Sequence, residues 1–124
     1  MINVKDQVYS ALLRVSENAS DMFPLVEPRD SELPIVVYCE EANNVYQKTD
    51  DAEQLATLRY RVDIFDKKST SETAQAIDAE LSALGLTRDE CYDVQDATDY
   101  RHKCMRYSGI IDVETEQMYW TNNR

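Results

Sequence analysis

The stretch RYRVDIFDKKSTSE, residues 59–72, sets two different repeat lengths side by side. In its first half Tyr60, Val62 and Ile64 alternate with Arg59, Arg61 and Asp63. A period of two puts the apolar set on one face of a strand and the charged set on the other. In its second half Ser69 is followed three residues later by Glu72. That is the spacing of a capping box, in which each side chain satisfies a backbone N–H that the first helical turn leaves unpaired. The stretch predicts a strand over Leu55 to Asp66 that turns into a helix.

That helix is predicted over residues 70–84, because Ala74, Ile77, Leu81 and Leu84 fall in one stripe. Gly85 stands where a left-handed stop belongs, and Leu86 can supply the apolar contact that goes with it. Upstream, LPIVVYCE at 33–40 is β-branched and apolar with few gaps, as a strand central in a sheet or covered on both faces would be. Between the two strands, EANNVYQKTDDAEQ at 41–54 is polar and rich in turn formers, and reads as a long, mobile loop.

The ends follow the same logic. Val4, Val8, Ala11, Leu12 and Val15 make a helical stripe with Asn3 as its cap, and the periodicity stops at Ser16 to Asp21. Pro24, Pro28 and Pro34 make the next connection irregular, with at most a short edge strand near Phe23 to Val26. Beyond the second helix, the acidic TRDECYDVQDATDY is predicted to split into a turn and a strand near Cys91 to Asp96. HKCMRYSGIIDV at 102–113 alternates again, with Met105, Tyr107, Ile111 and Val113 on one face and His102, Cys104, Arg106 and Ile110 on the other. A turn at Glu114 to Glu116 would return MYW as a last strand.

Two helices cannot cover both faces of five or six strands. They are expected together on one face of a mostly antiparallel sheet, an α+β fold of two layers in a single domain over residues 1–124. The other face would carry Arg59, Arg61, Asp63, Cys104 and Arg106, either solvated or reserved for a partner.

Composition narrows the function. Thirteen basic against twenty-four acidic residues give a net charge of -11, which opposes any large contact with phosphate backbones. The eight tyrosines lack the basic groove that a nucleic-acid stacking platform needs beside it. No apolar run reaches membrane-spanning length and the first residues lack the order of a signal peptide, so the cytoplasm is the expected compartment. Cys39, Cys91 and Cys104 are an odd count without paired spacing and read as reduced thiols. His102, Cys104 and Cys91 make only a weak zinc set, and a Cys104–His102 pair has no oxyanion-hole context around it. The cluster Asp89, Glu90, Asp93, Asp96 and Asp99 lacks the glycine and the terminal glutamate of a calcium loop and reads as a solvated acidic edge. Two glycines exclude a glycine-rich phosphate loop. No catalytic residue, metal ligand or cofactor is assigned, and a small metal-binding or thiol enzyme stands as the rival reading.

LPIVVYCEEANN, then YRVDIFDKKS leading into a helix that ends LGLTR, then RHKCMRYSGIIDVET, resembles in order and spacing the tail-completion or tail-terminator proteins of long-tailed bacteriophages. The likeness covers about residues 33 to 119. It departs at Thr115 and Glu116, where family members often carry glycine. The resemblance implies a structural virion protein: a ring, usually hexameric, that caps the tail tube, stops its growth and joins it to the neck. It implies assembly in the host cytoplasm and residence at the tail–neck junction. The implied partners are other copies, the tail tube protein and a neck or connector protein, with no sequence-specific nucleic acid and no membrane. A head-side connector or stopper is the alternative within the same class. Candidate interface residues are Glu41, Asn43 and Asn44 at the loop start, with Arg59, Arg61, Asp63 and Arg106 on the charged face.

Overall fold

A computed structural model of the chain describes residues 3–21, 28–49, 52–95, 99–112 and 118–119. Its elements in order are α1 (Lys5–Leu13), β1 (Ala19–Ser20), β2 (Ile35–Thr49), β3 (Ala52–Asp66), α2 (Ser71–Ala83), β4 (Thr87–Val94), β5 (Arg101–Asp112) and β6 (Met118–Tyr119). The sheet runs β1-β2-β3-β5-β4, and β6 pairs with β5. Every pairing is antiparallel except β1 with β2. The fold is therefore the α+β architecture expected from the sequence.

The helices lie on one face because only that face of the sheet is apolar along its whole length. Val36 and Tyr38 of β2, Ala56, Leu58, Tyr60, Val62 and Ile64 of β3, and Met105, Tyr107 and Ile111 of β5 share one core with Val4, Val8, Ala11 and Leu12 of α1 and Ala74, Ile77 and Leu81 of α2. Val15 and Leu84 pack against its rim. Arg14 Nε meets Glu80 Oε1 at 2.7 Å and ties the two helices together on the solvent side.

The helix ends follow sequence at the stop of α2 and depart from it at both starts. The residue before α1 is Val4, without a side-chain cap, and Asn3 Oδ1 accepts the Lys5 N–H at 3.0 Å from one position further back. Gly85 has φ 97, and its N–H reaches Ser82 O while the Leu86 N–H reaches Leu81 O, the paired closure that needs a left-handed residue. Leu86 is buried, as that closure requires. The capping box at Ser69 and Glu72 does not form. The residue before α2 is Thr70, which makes no side-chain cap bond, and Ser69 Oγ instead accepts the Ser71 N–H at 3.2 Å. A serine two residues ahead closes a local turn of its own, and that turn competes with the cap.

The predicted loop over 41–54 is a correction. Its described residues belong to the hairpin of β2 and β3, paired as far as Thr49↔Ala52. Register shifts between Glu40 and Ala42, Val45 and Gln47, and Gln47 and Lys48 break the alternation, so the period-two signal is lost although Val45, Tyr46 and Thr49 suit a strand. At fifteen residues each, β2 and β3 are far longer than the roughly five or six that is usual.

Two smaller corrections concern edges. β4 begins at Thr87, straight after the α2 stop, and ends at Val94, so the turn expected before Cys91 is strand. Ala19 and Ser20, in a segment without periodicity, pair with Val36 and Val37, held by Ser16 Oγ donating to Pro34 O at 2.7 Å and Asn18 Nδ2 donating to Glu32 O at 2.6 Å. Met118–Tyr119 does return beside β5. The expected edge strand at Phe23 to Val26, Val113 and the turn at Glu114 to Glu116 lie outside the described residues.

Candidate functional site

The face of the sheet turned away from the helices can be followed as rows of directly opposed residues. Ile35, Phe65, His102 and Val94 form one row, and Val37, Asp63, Cys104 and Tyr92 the next. Cys39, Arg61, Arg106 and Glu90 follow, then Ala42, Arg59, Ser108 and Thr87, then Asn44, Thr57 and Ile110. The face has two chemically different ends.

The end near the start of β2 is interior. Ile35, Val37, Asp63, His102 and Cys104 are all buried. Asp63 is the acceptor at its centre: Arg61 donates to it from Nε at 2.9 Å and Nη2 at 3.2 Å, and His102 Nε2 meets its Oδ1 at 2.7 Å. A buried carboxylate is tolerable only with such partners. The Arg61–Asp63 bonds also raise the guanidinium pKa, with burial opposing. Phe65 stacks on the His102 ring with centroids 4.2 Å apart. The expectation that this whole face is solvated or held for a partner is therefore wrong at this end, because Asp63 is an internal anchor.

The rival thiol chemistry meets the same geometry. Cys104 has 0% exposure, and His102 offers its Nε2 to Asp63 rather than to a thiol. The Cys39 thiol is pushed up by burial and by the Glu41 carboxylate, away from the reactive thiolate. Among the described residues no group of three His, Cys, Asp or Glu side chains is placed to hold a metal ion.

The other end is an open lattice of ion pairs. Arg106 reaches Glu41 Oε1 from Nε at 3.1 Å, Glu90 Oε1 from Nη1 at 3.4 Å and the Tyr92 hydroxyl from Nη1 at 2.7 Å. Arg59 adds contacts to Glu41 at 3.4 Å and Glu90 at 3.6 Å. Three candidates from the sequence, Glu41, Arg59 and Arg106, thus converge. The bulge explains Glu41: with Ala42 opposite Arg59, two residues of β2 face one of β3 and Glu41 is aimed at the arginines. The same shift separates the asparagines, since Asn44 stands opposite Thr57 on this face and Asn43 opposite Leu58 on the helix side. Neither begins a loop. Glu90 and Tyr92 were missed as members; β4 reads as an acidic edge, and only its register against β5 brings them to Arg106.

Exposed pairs of this kind contribute roughly 0 to 1 kcal/mol each to stability. They also gather the Arg59 and Arg106 guanidiniums and the Tyr92 hydroxyl into one cluster, and arginine and tyrosine are enriched at protein contacts. The hairpin that continues from this lattice exposes Val45 at 52% and Tyr46 at 60%. At the opposite end of the molecule a cleft of about 410 Å³ is lined by Ser69, Thr70, Ser71, Tyr100, Arg101 and His102, together with Asp93, Val94 and Gln95 of β4 and its exit. Comparison with known protein families and with curated proteins returns no match to this chain.

Proposed function

We propose that the protein is a structural assembly component of a phage tail, a terminator whose copies form a head-to-tail ring on the tail tube and meet the neck. The observation that carries this reading is the β2–β3 hairpin. Strands of fifteen residues rise about 3.3 Å per residue and so run for roughly 50 Å, and the hairpin presents Val45 and Tyr46 to solvent. Only the tip of this arm runs past β5, which pairs with β3 over Leu55–Asp66, and the apolar side chains left exposed on β2 near that tip suit contact with a neighbour. The Arg59, Arg106 and Tyr92 lattice would serve as the second, different patch that a head-to-tail ring requires. A charge of -11 per copy gives such a ring an acidic channel through which DNA slides without sticking.

Size exclusion with light scattering, alone and with purified tail tube, tests the reading. A ring, or a monomer that becomes a ring on tubes, is the expected result, and the double variant Val45→Asp/Tyr46→Asp should stay folded but fail to assemble. A monomer that contacts neither tube nor neck protein would sink it. Capture of portal rather than tube would reassign the protein to the head side.

A further inference from the structure

We propose that the cleft at the start of α2 is an oxyanion site that takes a phosphate or carboxylate group, independently of ring assembly. Three observations converge there. α2 is a thirteen-residue helix, and the N–H groups of its first turn have no partner within the helix. Partial positive charge collects at that end and favours an anion.

The second observation is Thr70. Its exposure is 5%, it lines the cleft, and its hydroxyl neither caps the helix nor makes any other hydrogen bond among the described residues. The side chain is enclosed, but its oxygen is not among the buried unpartnered atoms of the described residues and so is open to the cleft, placed to meet a group that enters it. Ser69 is not its competitor, because Ser69 Oγ is already turned to the Ser71 N–H.

The third observation is the charge balance of the lining. Arg101 contributes a guanidinium; among the described lining residues Asp93 is the one carboxylate, bonded to Lys103 Nζ at 2.8 Å, and Glu72 stands in the first turn of α2 outside that lining. That pairing holds the Lys103 ammonium charged, its pKa raised by the bond to Asp93. In a chain of net charge -11, a cleft with an arginine and a compensated aspartate is a local exception. The walls are also fixed: Tyr100 donates its hydroxyl to Pro28 O at 3.4 Å, and Lys67 Nζ sits 5.6 Å from the Tyr100 ring centre. Among the described lining residues a metal cation would find Asp93 and His102, both already paired, and an apolar ligand Val94 and one face of Tyr100. Hydroxyls, first-turn amides and a guanidinium match an oxyanion.

The test is amide chemical-shift mapping of the full chain titrated with inorganic phosphate, and separately with acetate, at constant ionic strength made up with chloride. Saturable shifts confined to residues 70–73 and 100–102 are expected in the millimolar range. Saturation by phosphate alone identifies a phosphate ligand, and saturation by acetate identifies a carboxylate such as an acidic side chain; either outcome supports the site. Thr70→Val and Arg101→Gln should each weaken binding about tenfold by removing a donor to a charged acceptor. If Thr70→Val does not fold, Arg101→Gln on the exposed guanidinium carries the test. No saturable shift with either anion, or undiminished binding in Arg101→Gln, overturns the proposal.

Discussion

The two faces of this sheet are cut from the same strands yet hold together by different physics. On the helix side Leu58, Tyr60, Val62 and Ile64 of β3 meet Met105, Tyr107 and Ile111 of β5 under two helices, and burial of apolar area stabilises the contact whatever the fine geometry. Polar atoms there sit at the rim. Tyr60 Oη donates to Glu40 at 2.9 Å and Tyr107 Oη to Asp78 at 2.6 Å. On the other side Asp63 is equally enclosed but depends on directed bonds from Arg61 and His102. A few residues along, the Arg59 and Arg106 lattice is open to solvent. Apolar burial is non-directional, whereas a polar interior is stable only when each partner arrives with its bond formed.

That contrast can be broken by substitution. Asp63→Ala should have the largest effect, about 3 to 5 kcal/mol, because it removes the acceptor that the buried His102 Nε2 and the Arg61 guanidinium share. Urea midpoints measure it, and a cost under about 1 kcal/mol would mean that this end is no second interior. Leu81→Ala on the helix side should cost about 2 to 5 kcal/mol through lost transfer energy and the cavity left behind. A neutral result would show that α2 does not pack as described.

A smaller effect follows from the tyrosines. Burial, and then the bonds to Glu40 and Asp78, raise Tyr60 and Tyr107 above the usual 10.0. Because the folded value lies above the unfolded one, their contribution is fully present below about pH 10 and is lost as pH climbs past it, when only the unfolded chain ionises. Stability should fall progressively as pH rises above about 10, and Tyr107→Phe should lose less there while costing about 1 kcal/mol at neutral pH. An equal alkaline loss in wild type and variant would count against the assignment. Least affected of all should be Arg59→Ala, at about 0 to 1 kcal/mol in the urea midpoint. A larger cost would make the open lattice a structural network, not a contact surface.

The helix side was readable from sequence because its residues carry their own period. Val8, Ala11 and Leu12, the stripe through Leu81, and the run Tyr60, Val62, Ile64 each repeat at the spacing of the element that holds them. Gly85 was readable because a left-handed stop has few other solutions. The arm was not, since three register shifts scramble the alternation just where Glu41, Val45 and Tyr46 stand. The candidate surface was half legible. Glu41, Arg59 and Arg106 could be named as charged residues, but Glu90 and Tyr92 join them only through pairing across β5.

By itself, then, the sequence determined which segments are helix and which carry an apolar face, together with the acidity that governs what the protein can approach. These are local properties, set by spacing within a few residues. Only the tertiary structure decided that Asp63 is an interior acceptor for a histidine 39 residues away, that Asn43 and Asn44 face opposite sides, and that Thr70 looks into a cleft. Each depends on strand register or on where one element ends against another. Such relations are fixed by contacts between distant parts of the chain, and no periodicity within a segment encodes them.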